Sequence, residues 1–351
     1  MKKGWTYDKL GDICKLYQPH TISSKEMVDD GKYDVFGANG IIGKYNKYNH
    51  EEPEILMTCR GATCGNINVS TPKSWINGNA MVVHIKDEKT LNKSFLIYIL
   101  SHIDKTHIIT GAAQPQITRQ TLSPLMIGYP TLSEQERIVE RLDAAFAQID
   151  ELKSNAEKQL AEARALFQSA LTQAMQPKPG WQVFSFSQLI KLKSGDNLPA
   201  KSFVEGEYPV YGGNGIAGYH NQYNKEGGQI VIGRVGALCG NVRFIESPFW
   251  LTDNGFEVIL DKEHKMDLPF LTYLLNFCNL RQYARQAAQP VISNVSLKDI
   301  QLNIPPVSEQ QIIVEHLDAL SNHVKELEEI SRKTAAECDA MKQALLRQIF
   351  E

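Results

Sequence analysis

The sequence repeats itself at an offset of 175 residues over most of its 351-residue length. The segment YDVFGANGIIG at 33–43 returns at 208–218 as YPVYGGNGIAG, and the tripeptide CGN at 64–66 returns at 239–241. Solenoid repeats have periods of about 20 to 50 residues, so a period this long indicates a whole module. The sequence therefore predicts a tandem duplication of one domain-sized unit.

Each copy ends in a segment with a heptad pattern. In the first copy, apolar or small residues recur at alternating steps of four and three, interrupted at Gln159: Ile138, Leu142, Ala145, Ile149, Leu152, Ala156, Ala163, Leu166 and Ala170. The second copy repeats the pattern with Ile313, Leu317, Leu320, Val324, Leu327, Cys338, Met341 and Leu345. A sustained heptad pattern predicts a coiled coil. We expect the two helices to pair with each other and to run antiparallel; separate packing of each helix on its own module is the alternative.

Both helices are preceded by the same start signal. The segments SEQE at 133–136 and SEQQ at 308–311 follow prolines and match the capping-box pattern, which predicts Ser133 and Ser308 as N-caps. The first helix is expected to end near Met175, before PKPG at 177–180, and the second is expected to run to the end of the chain.

Charge is divided unevenly along the chain. The net charge is −3, but residues 133–175 carry eight acidic and five basic groups, and residues 308–351 carry nine and five. The rest of the chain is therefore mildly basic, which suits contact with DNA, although a charge of this size is also ordinary for a globular protein. No apolar run approaches a membrane span and no signal-peptide core follows the N-terminus, so a cytoplasmic location is expected. The six cysteines form no disulfide framework, and neither metal-ligand spacing nor a catalytic constellation is present in both copies.

Polar segments that occur in both copies supply candidate DNA contacts. A tyrosine-rich stretch follows each glycine-rich turn, and its candidates are Lys44, Tyr45, Lys47 and Tyr48 in the first copy and Tyr219, Asn221 and Tyr223 in the second. Such side chains stack on sugars, donate to phosphates and contact base edges, but a solvated hairpin loop has the same composition.

An arginine at the end of a predicted strand gives a second group of candidates. Arg60 and Arg234 lie beside glycines, where a guanidinium can bind guanine or phosphate, and they stand one position out of register between the copies. Gln114 and Gln289, in the repeated tetrapeptide AAQP, could contact an adenine edge or only hold their loop.

On these motifs the chain resembles the DNA specificity (S) subunits of type I restriction-modification systems. The resemblance rests on YPVYGGNGIAG at 208–218, GRVGA at 233–237, QPVI at 289–292 and the repeated entry from proline through SEQ to Leu-Asp at 130–143 and 305–318. It implies an α+β fold in which target recognition domains at 1–130 and 179–305 alternate with helical conserved regions at 131–178 and 306–351. The two long antiparallel helices would then relate the domains by a pseudo-twofold axis.

The resemblance also implies a function. Such subunits are not catalytic; they bind a bipartite asymmetric DNA site and dock two modification subunits, which carry S-adenosylmethionine, on the helical regions. Two restriction subunits, which use ATP and Mg²⁺, complete the nuclease in some complexes, and the sequence leaves their presence open. Two other classes remain: a coiled-coil scaffold whose end domains bind proteins, and an enzyme with a cryptic site.

Overall fold

The computed structural model of the chain describes residues 2–111, 114–261, 263–285 and 290–351. Gln289, one of the predicted site residues, lies outside these ranges. The chain divides into two compact units, one made of Met1–Asn155 and Arg332–Glu351 and the other of Ala156–Ser331. We call the globular part before the first long helix the first module (residues 2–130) and that before the second long helix the second module (residues 179–305).

The first module is built from short strands and short helices. Its strands are β1 (Thr6–Lys9), β2 (Cys14–Tyr17), β3 (Tyr33–Gly37), β4 (Gly40–Tyr45), β5 (Ile55–Thr58), β6 (Ile67–Val69), β7 (Trp75–Ile76), β8 (Ala80–Ile85) and β9 (Met126–Tyr129). Its helices are α1 (Leu10–Ile13), α2 (Lys93–His102) and α3 (Arg119–Leu122), with a 3-10 turn at Thr106–Ile108. The long helix α4 (Leu132–Ala174) follows.

The second module repeats this order. Its strands are β10 (Gln182–Ser185), β11 (Ile190–Ser194), β12 (Tyr208–Gly212), β13 (Gly215–His220), β14 (Gln229–Gly233), β15 (Val242–Ile245), β16 (Trp250–Leu251), β17 (Gly255–Leu260) and β18 (Gln301–Ile304). Its helices are α5 (Phe186–Leu189), α6 (Leu268–Phe277) and α7 (Asn294–Leu297), with 3-10 turns at Ala200–Ser202 and Leu280–Tyr283. The long helix α8 (Val307–Phe350) follows.

Strand pairing is the same in the two modules. One sheet has the order β2-β8-β5-β6 in the first module and β11-β17-β14-β15 in the second, and both are antiparallel. A smaller sheet has the order β4-β3-β7 or β13-β12-β16, in which only the last pair is parallel. Even the irregularity in the hairpin recurs at the same place, Val35/Phe36 and Val210/Tyr211. The predicted duplication and α+β class are confirmed.

Each module has its own apolar core. In the first, Met57 and Met81 of the larger sheet belong to the same buried cluster as Phe95 and Leu96 of α2, and all four side chains are fully buried. In the second, the corresponding cluster contains Ile232 of β14 and Phe270 and Leu271 of α6. Burial of this apolar surface is the main force that stabilises each module.

The long helices pair within each unit. In the first unit Lys342 Nζ lies 2.5 Å from Asp150 Oδ1, and Lys153 Nζ lies 3.6 Å from Asp339 Oδ1. In the second unit Arg164 Nη2 lies 2.6 Å from Glu328 Oε1. Partner numbers on α8 fall as those on α4 rise, so the paired segments are antiparallel, as predicted.

The contact stripe of α4 differs from the predicted heptad. Leu152 is 52% exposed and Leu166 is 58% exposed, so neither lies in the helix contact. The neighbouring Lys153 and Phe167 are half-buried, and so is Leu160, which replaces Gln159. Met341 of α8, also predicted in the seam, is 50% exposed. The other predicted seam residues are buried or half-buried, among them Ile138, Leu142, Ile149, Ile313, Leu317, Val324 and Leu327. An α-helix with two overlapping apolar stripes does not itself specify which stripe meets the partner; the position of α8 decides this.

The ends of the long helices also enter the module cores. Ile138 and Leu142 at the start of α4 and Leu346 near the end of α8 belong to the core of the first module. Phe350 packs edge to face on Trp5, with ring centroids 6.5 Å apart. In the second module, Leu171, Ile313 and Leu317 take part in the core. Helix pairing and helix-to-module packing, considered as alternatives in the sequence, therefore both occur.

The repeated glutamine ties each long helix to its module. The helices begin one residue before the predicted capping serines, so the predicted N-cap role of Ser133 and Ser308 is wrong. Gln135 is fully buried; its Nε2 donates to the Pro130 and Thr90 carbonyls at 2.9 Å, and its Oε1 accepts from Asn92 N at 2.8 Å. Gln310 likewise bonds to Pro305 O and Asp267 N. Thr90, Asn92 and Asp267 each lie more than 40 residues from the glutamine that they bind. We therefore infer that the two glutamines hold the helix to its module and do not cap the helix.

We expect Gln310→Ala to lower the free energy of unfolding of the second unit by about 1–3 kcal/mol, because a buried amide and a buried carbonyl would lose their partner. Denaturant melting of the full chain measures the change. Gln311→Ala, an exposed glutamine on the same turn, is the matched control and should change stability by less than about 0.5 kcal/mol. Equal losses in the two variants would contradict the role assigned to Gln310.

Candidate nucleic-acid interface

Three loops of the second module meet at one edge of the larger sheet. They are the hairpin turn at 213–214, the loop at 234–241 that follows β14, and the segment that includes Arg285 and 290–291. Leu238 N donates to Asn214 Oδ1 at 3.0 Å, Gly236 N donates to Pro290 O at 3.3 Å, and Val235 pairs with Val291. We call this arrangement the three-loop edge.

The first module has the same three-loop edge, formed by residues 38–39, 59–66, and 110–111 with 114–116. Thr58 Oγ1 donates to Ala38 O at 2.5 Å, and Gly61 N donates to Pro115 O at 3.0 Å. Arg60 pairs with Gln116. Because backbone hydrogen bonds fix these loops, each module presents their side chains from a rigid frame.

Close backbone approach explains the glycines at this edge. A Cβ added at Gly213 would lie 2.0 Å from Val235 O. Gly215 and Gly236 have φ of 103° and 96°, a region that L side chains rarely adopt. A larger residue at Gly213 would therefore push the hairpin turn away from the loop at 234–241.

All four arginines of the second module lie at its three-loop edge: Arg234, Arg243, Arg281 and Arg285. Arg281 Nη1 donates to Ala237 O at 2.7 Å, and Arg285 N donates to Val291 O at 2.9 Å. The Arg243 guanidinium lies beside Gly215, because a Cβ added at this glycine would be 3.4 Å from Arg243 Nη2. Within the described ranges, none of the four makes an ion pair with a carboxylate. The edge thus presents a concentration of positive charge suited to phosphate and guanine.

Arg243, Arg281 and Arg285 were missed by the sequence analysis. They are spread over more than 40 residues and have no arginine counterparts in the first copy, where Asn68, Thr106 and Thr110 occupy these positions. Their common location follows only from the tertiary structure.

Arg234 points into its module. Its Nη1 lies 3.3 Å from both Ser194 Oγ and the Asp253 carbonyl, and its guanidinium lies 5.3 Å from the centre of the Phe256 ring. Its Nε is buried and has no partner among the described residues. These contacts hold the side chain against the sheet.

Arg60 occupies a different position from Arg234. Arg60 pairs with Gln116, whereas the residue that pairs with the equivalent Val291 is Val235. Arg60 is exposed, and Gln114 is exposed on the neighbouring segment. Lys105 adjoins this edge at Gly65, but it is held by the carbonyls of Leu100 and Ile103, and burial lowers its pKa.

The tyrosine-rich segments lie at the other end of the hairpin. Tyr33 pairs with Tyr45 there, whereas Gly37 pairs with Gly40 at the turn, so the two ends are roughly 14 Å apart. The structure therefore does not bring Lys44, Tyr45, Lys47 and Tyr48 together with Arg60. The same separation holds in the second module for Tyr219, Asn221 and Tyr223 relative to Arg234.

Several side chains of these segments have structural partners. The Tyr48 ring packs on Tyr33 at 5.0 Å, and Tyr223 packs on Tyr208 at 4.9 Å. Tyr45 packs on Trp75, and Lys44 Nζ lies 3.3 Å from Asp34 Oδ1. Lys47, Asn221 and Tyr219 are exposed, and the last shows 55% of its surface. The second module has Pro209 where the first has Asp34, and the hairpin pairing is the same in both modules.

No group of three or more metal-ligating side chains occurs in the described part of the chain. None of its helices has both the length and the apolar character needed to cross a bilayer. The cysteine thiols are free, and burial raises the pKa of Cys59 and Cys278 to about 11, so these thiols are poor nucleophiles at neutral pH.

The chain consists of two modules with one scaffold, each followed by a long helix, and the second module has a basic loop edge. The sequence of the chain matches a known family along most of its length. The sequence model described as the type I restriction modification DNA specificity domain matches residues 2–162 and again 178–337. The chain belongs to this family. The two matches coincide with the two copies of the internal repeat.

Curated relatives include complete and partial matches. The specificity subunit of the type I restriction enzyme EcoprrI from Escherichia coli is 31% identical over 153 residues, which is 42% of this chain and 38% of that protein. The StySPI specificity subunit from Salmonella potsdam is 24% identical over 99% of this chain and 85% of that protein. The alignments with the first two relatives span less than half of the length of those proteins.

Solved structures support the fold. A chain from a study of complex assembly and conformational transition of the type I R-M system superposes with a TM-score of 0.75 at 17% identity, covering 100% of this chain and 98% of that chain. The HsdS subunit from Thermoanaerobacter tengcongensis gives a TM-score of 0.53 at 18% identity, covering 99% and 96%. At these identities the likeness concerns the fold of the family.

Proposed function

We propose that this chain binds a split, asymmetric DNA site and that each module contacts one half through its three-loop edge. The observation that carries the proposal is the set of three arginines at the edge of the second module besides the inward-facing Arg234. These are Arg243, Arg281 and Arg285, none of which pairs with a carboxylate within the described ranges. An arginine without an acidic partner retains its full charge for phosphate, and its planar donor fork fits guanine O6 and N7.

Asymmetry of the site follows from the difference between the two edges. Arg243, Arg281 and Arg285 correspond to Asn68, Thr106 and Thr110 on the same scaffold. Arg60 and Gln114 are the exposed polar candidates of the first edge. Different side chains on equivalent frames would select different base sequences, so the two halves of the site should differ.

The chain would act without catalysis of its own. In this proposal two modification subunits dock on the helical regions and supply S-adenosylmethionine. Two restriction subunits with ATP and Mg²⁺ would complete a nuclease where they are present. Leu152, Leu166 and Ile330 are exposed apolar side chains of the long helices and would be available to such a partner. We place this assembly in the cytoplasm with its DNA.

Co-expression with a modification subunit of the same family, followed by sequencing of methylated adenines, tests the proposal. The expected result is methylation at one bipartite sequence with a fixed spacer, together with DNA affinity that falls steeply with salt. A purified complex that methylates no defined sequence would contradict the recognition role. Stable binding to proteins without salt-dependent binding to DNA would instead favour a coiled-coil scaffold.

A further inference from the structure

Strand pairing defines which residues of the two modules are equivalent near Arg234. Ile190 pairs with Leu260 as Cys14 pairs with Ile85, so Ser194 is the counterpart of Gln18. The Arg234 carbonyl accepts from Ile292 N as the Cys59 carbonyl accepts from Ile117 N, so Arg234 is the counterpart of Cys59.

At these two equivalent positions the long and the short side chain are exchanged between the modules. The second module has Ser194 and Arg234 where the first has Gln18 and Cys59. In the second module the long Arg234 reaches Ser194 Oγ and the Asp253 carbonyl, each at 3.3 Å. In the first module the long Gln18 donates from Nε2 to the Gly78 carbonyl at 2.8 Å. Gly78 is the counterpart of Asp253 in the repeat. The same carbonyl is therefore bound in both modules; in the second it accepts from Arg234 and also from Ser194 Oγ, the latter at 3.2 Å.

The first module fills the remaining space with a small side chain. Cys59 is 1% exposed, and its thiol donates to the Met57 carbonyl at 3.6 Å. In the second module the Arg234 guanidinium covers the ring of Phe256, whose counterpart in the first is Met81. Each module thus contains one long polar side chain at this point, either at position 18 or at position 234.

We propose that Arg234 and Gln18 are equivalent positioning residues, which fix the first residue of the loop at 234–241 or 59–66, and that Arg234 does not contact a base. This inference rests on the proposed DNA recognition by the three-loop edge. Arg234 N donates to Asn254 O at 2.9 Å, and the residues directly after it form the edge. Movement at Arg234 would therefore shift Val235 and Ala237 together, and with them the contact made by Arg281.

The test places the residue pair of the first module, Gln18 and Cys59, at the equivalent positions of the second module. In the complex with modification subunits, Arg234→Cys is expected to reduce methylation of the site roughly tenfold and to weaken discrimination at all positions of the second half together. Ser194→Gln combined with Arg234→Cys should recover most of the loss. Arg234→Lys should behave like Arg234→Cys, because a lysine keeps the charge but lacks the planar fork.

Gln18→Ala is the matched variant in the first module, and its defect should appear only in the first half of the site. Relaxation of a single base pair by Arg234→Cys, with an unchanged melting temperature, would overturn the proposal and make Arg234 a base-contacting residue. Failure of the double variant to exceed Arg234→Cys would overturn the equivalence with Gln18. If the unaltered complex methylates no defined site, recognition itself fails, and the melting temperatures of the same variants then decide the equivalence alone.

Discussion

Replacing residues 1–130 by the first module of another specificity subunit should change one half of the methylated sequence and leave the other half intact. Each module has a separate core and its own three-loop edge, so the side chains of one edge do not depend on the other module. The junction at 130–131 falls between β9 and α4, where no strand pairing is cut. Sequencing of methylated adenines in cells that express the chimera measures the result.

The donor module must preserve the contacts that hold it to the long helices. Asn92 N and the Thr90 carbonyl bind Gln135, and the Tyr98 hydroxyl donates to Asp143. In the second module Tyr273 donates in the same way to Asp318, at 2.6 Å. The contacts to Gln135 come from backbone atoms, so a donor that keeps a tyrosine at the position of Tyr98 and has no proline at that of Asn92 is the appropriate choice.

The reciprocal exchange of 179–305 is the control, and it should alter only the other half of the site. A chimera that changes both halves would show that the modules do not act independently. A chimera that folds but methylates nothing, although it retains the modification subunits, would place part of the recognition surface outside the exchanged segment.

Neutralising Arg243, Arg281 and Arg285 to alanine should weaken binding to every DNA sequence and flatten its dependence on salt. If all three contact phosphates, the slope of log K against log salt should fall in magnitude by about 2.7, since each contact contributes roughly 0.9. An arginine that contacts guanine would instead relax one base pair of the second half at a cost of about 1–3 kcal/mol. Binding of the assembled complex to specific and unrelated duplexes at several salt concentrations separates these outcomes.

Lys201, Lys265 and Lys298 offer a control of equal charge. All three are exposed residues of the second module, and none belongs to the three-loop edge. Their replacement by alanine should leave the salt slope nearly unchanged. Equal effects of the two triple variants would mean that net charge, and not the position of the arginines, governs binding. In that case the assignment of the edge as the DNA surface would be wrong.

The sequence determined the features that depend on repetition and period. The offset of 175 residues specified two copies of one module, and the heptad pattern specified two long helices that pair. Both are properties of spacing along the chain, which local propensity and amphipathic pattern express directly. The family resemblance followed from the same repeated motifs and was confirmed by matches at 2–162 and 178–337.

Tertiary structure decided which side chains meet. The covered stripe of α4 passes through Lys153, which pairs with Asp339 of α8, and Phe167, which packs on Tyr273 of α6, whereas Leu152 and Leu166 remain exposed. Gln135 lay between Ser133 and Glu136, the two ends of the predicted capping box, and no role was predicted for it, yet it binds a carbonyl and an amide more than 40 residues away. The role of the repeated glutamine is set by burial, which a local pattern does not encode.

The candidate site was likewise predicted only in part from the sequence. Arg60 and Arg234 could be selected from the sequence because they stand beside repeated glycines, and their one-residue offset indicated that they need not do the same work. Which groups surround each of them could not be foreseen. Arg234 meets Ser194 and the Asp253 carbonyl, which come from two other strand ends, and Arg243, Arg281 and Arg285 converge from separate segments. Spacing along the chain fixes the elements, whereas loop contacts between distant segments fix which polar groups share an edge. Those contacts exist only once the sheets have formed.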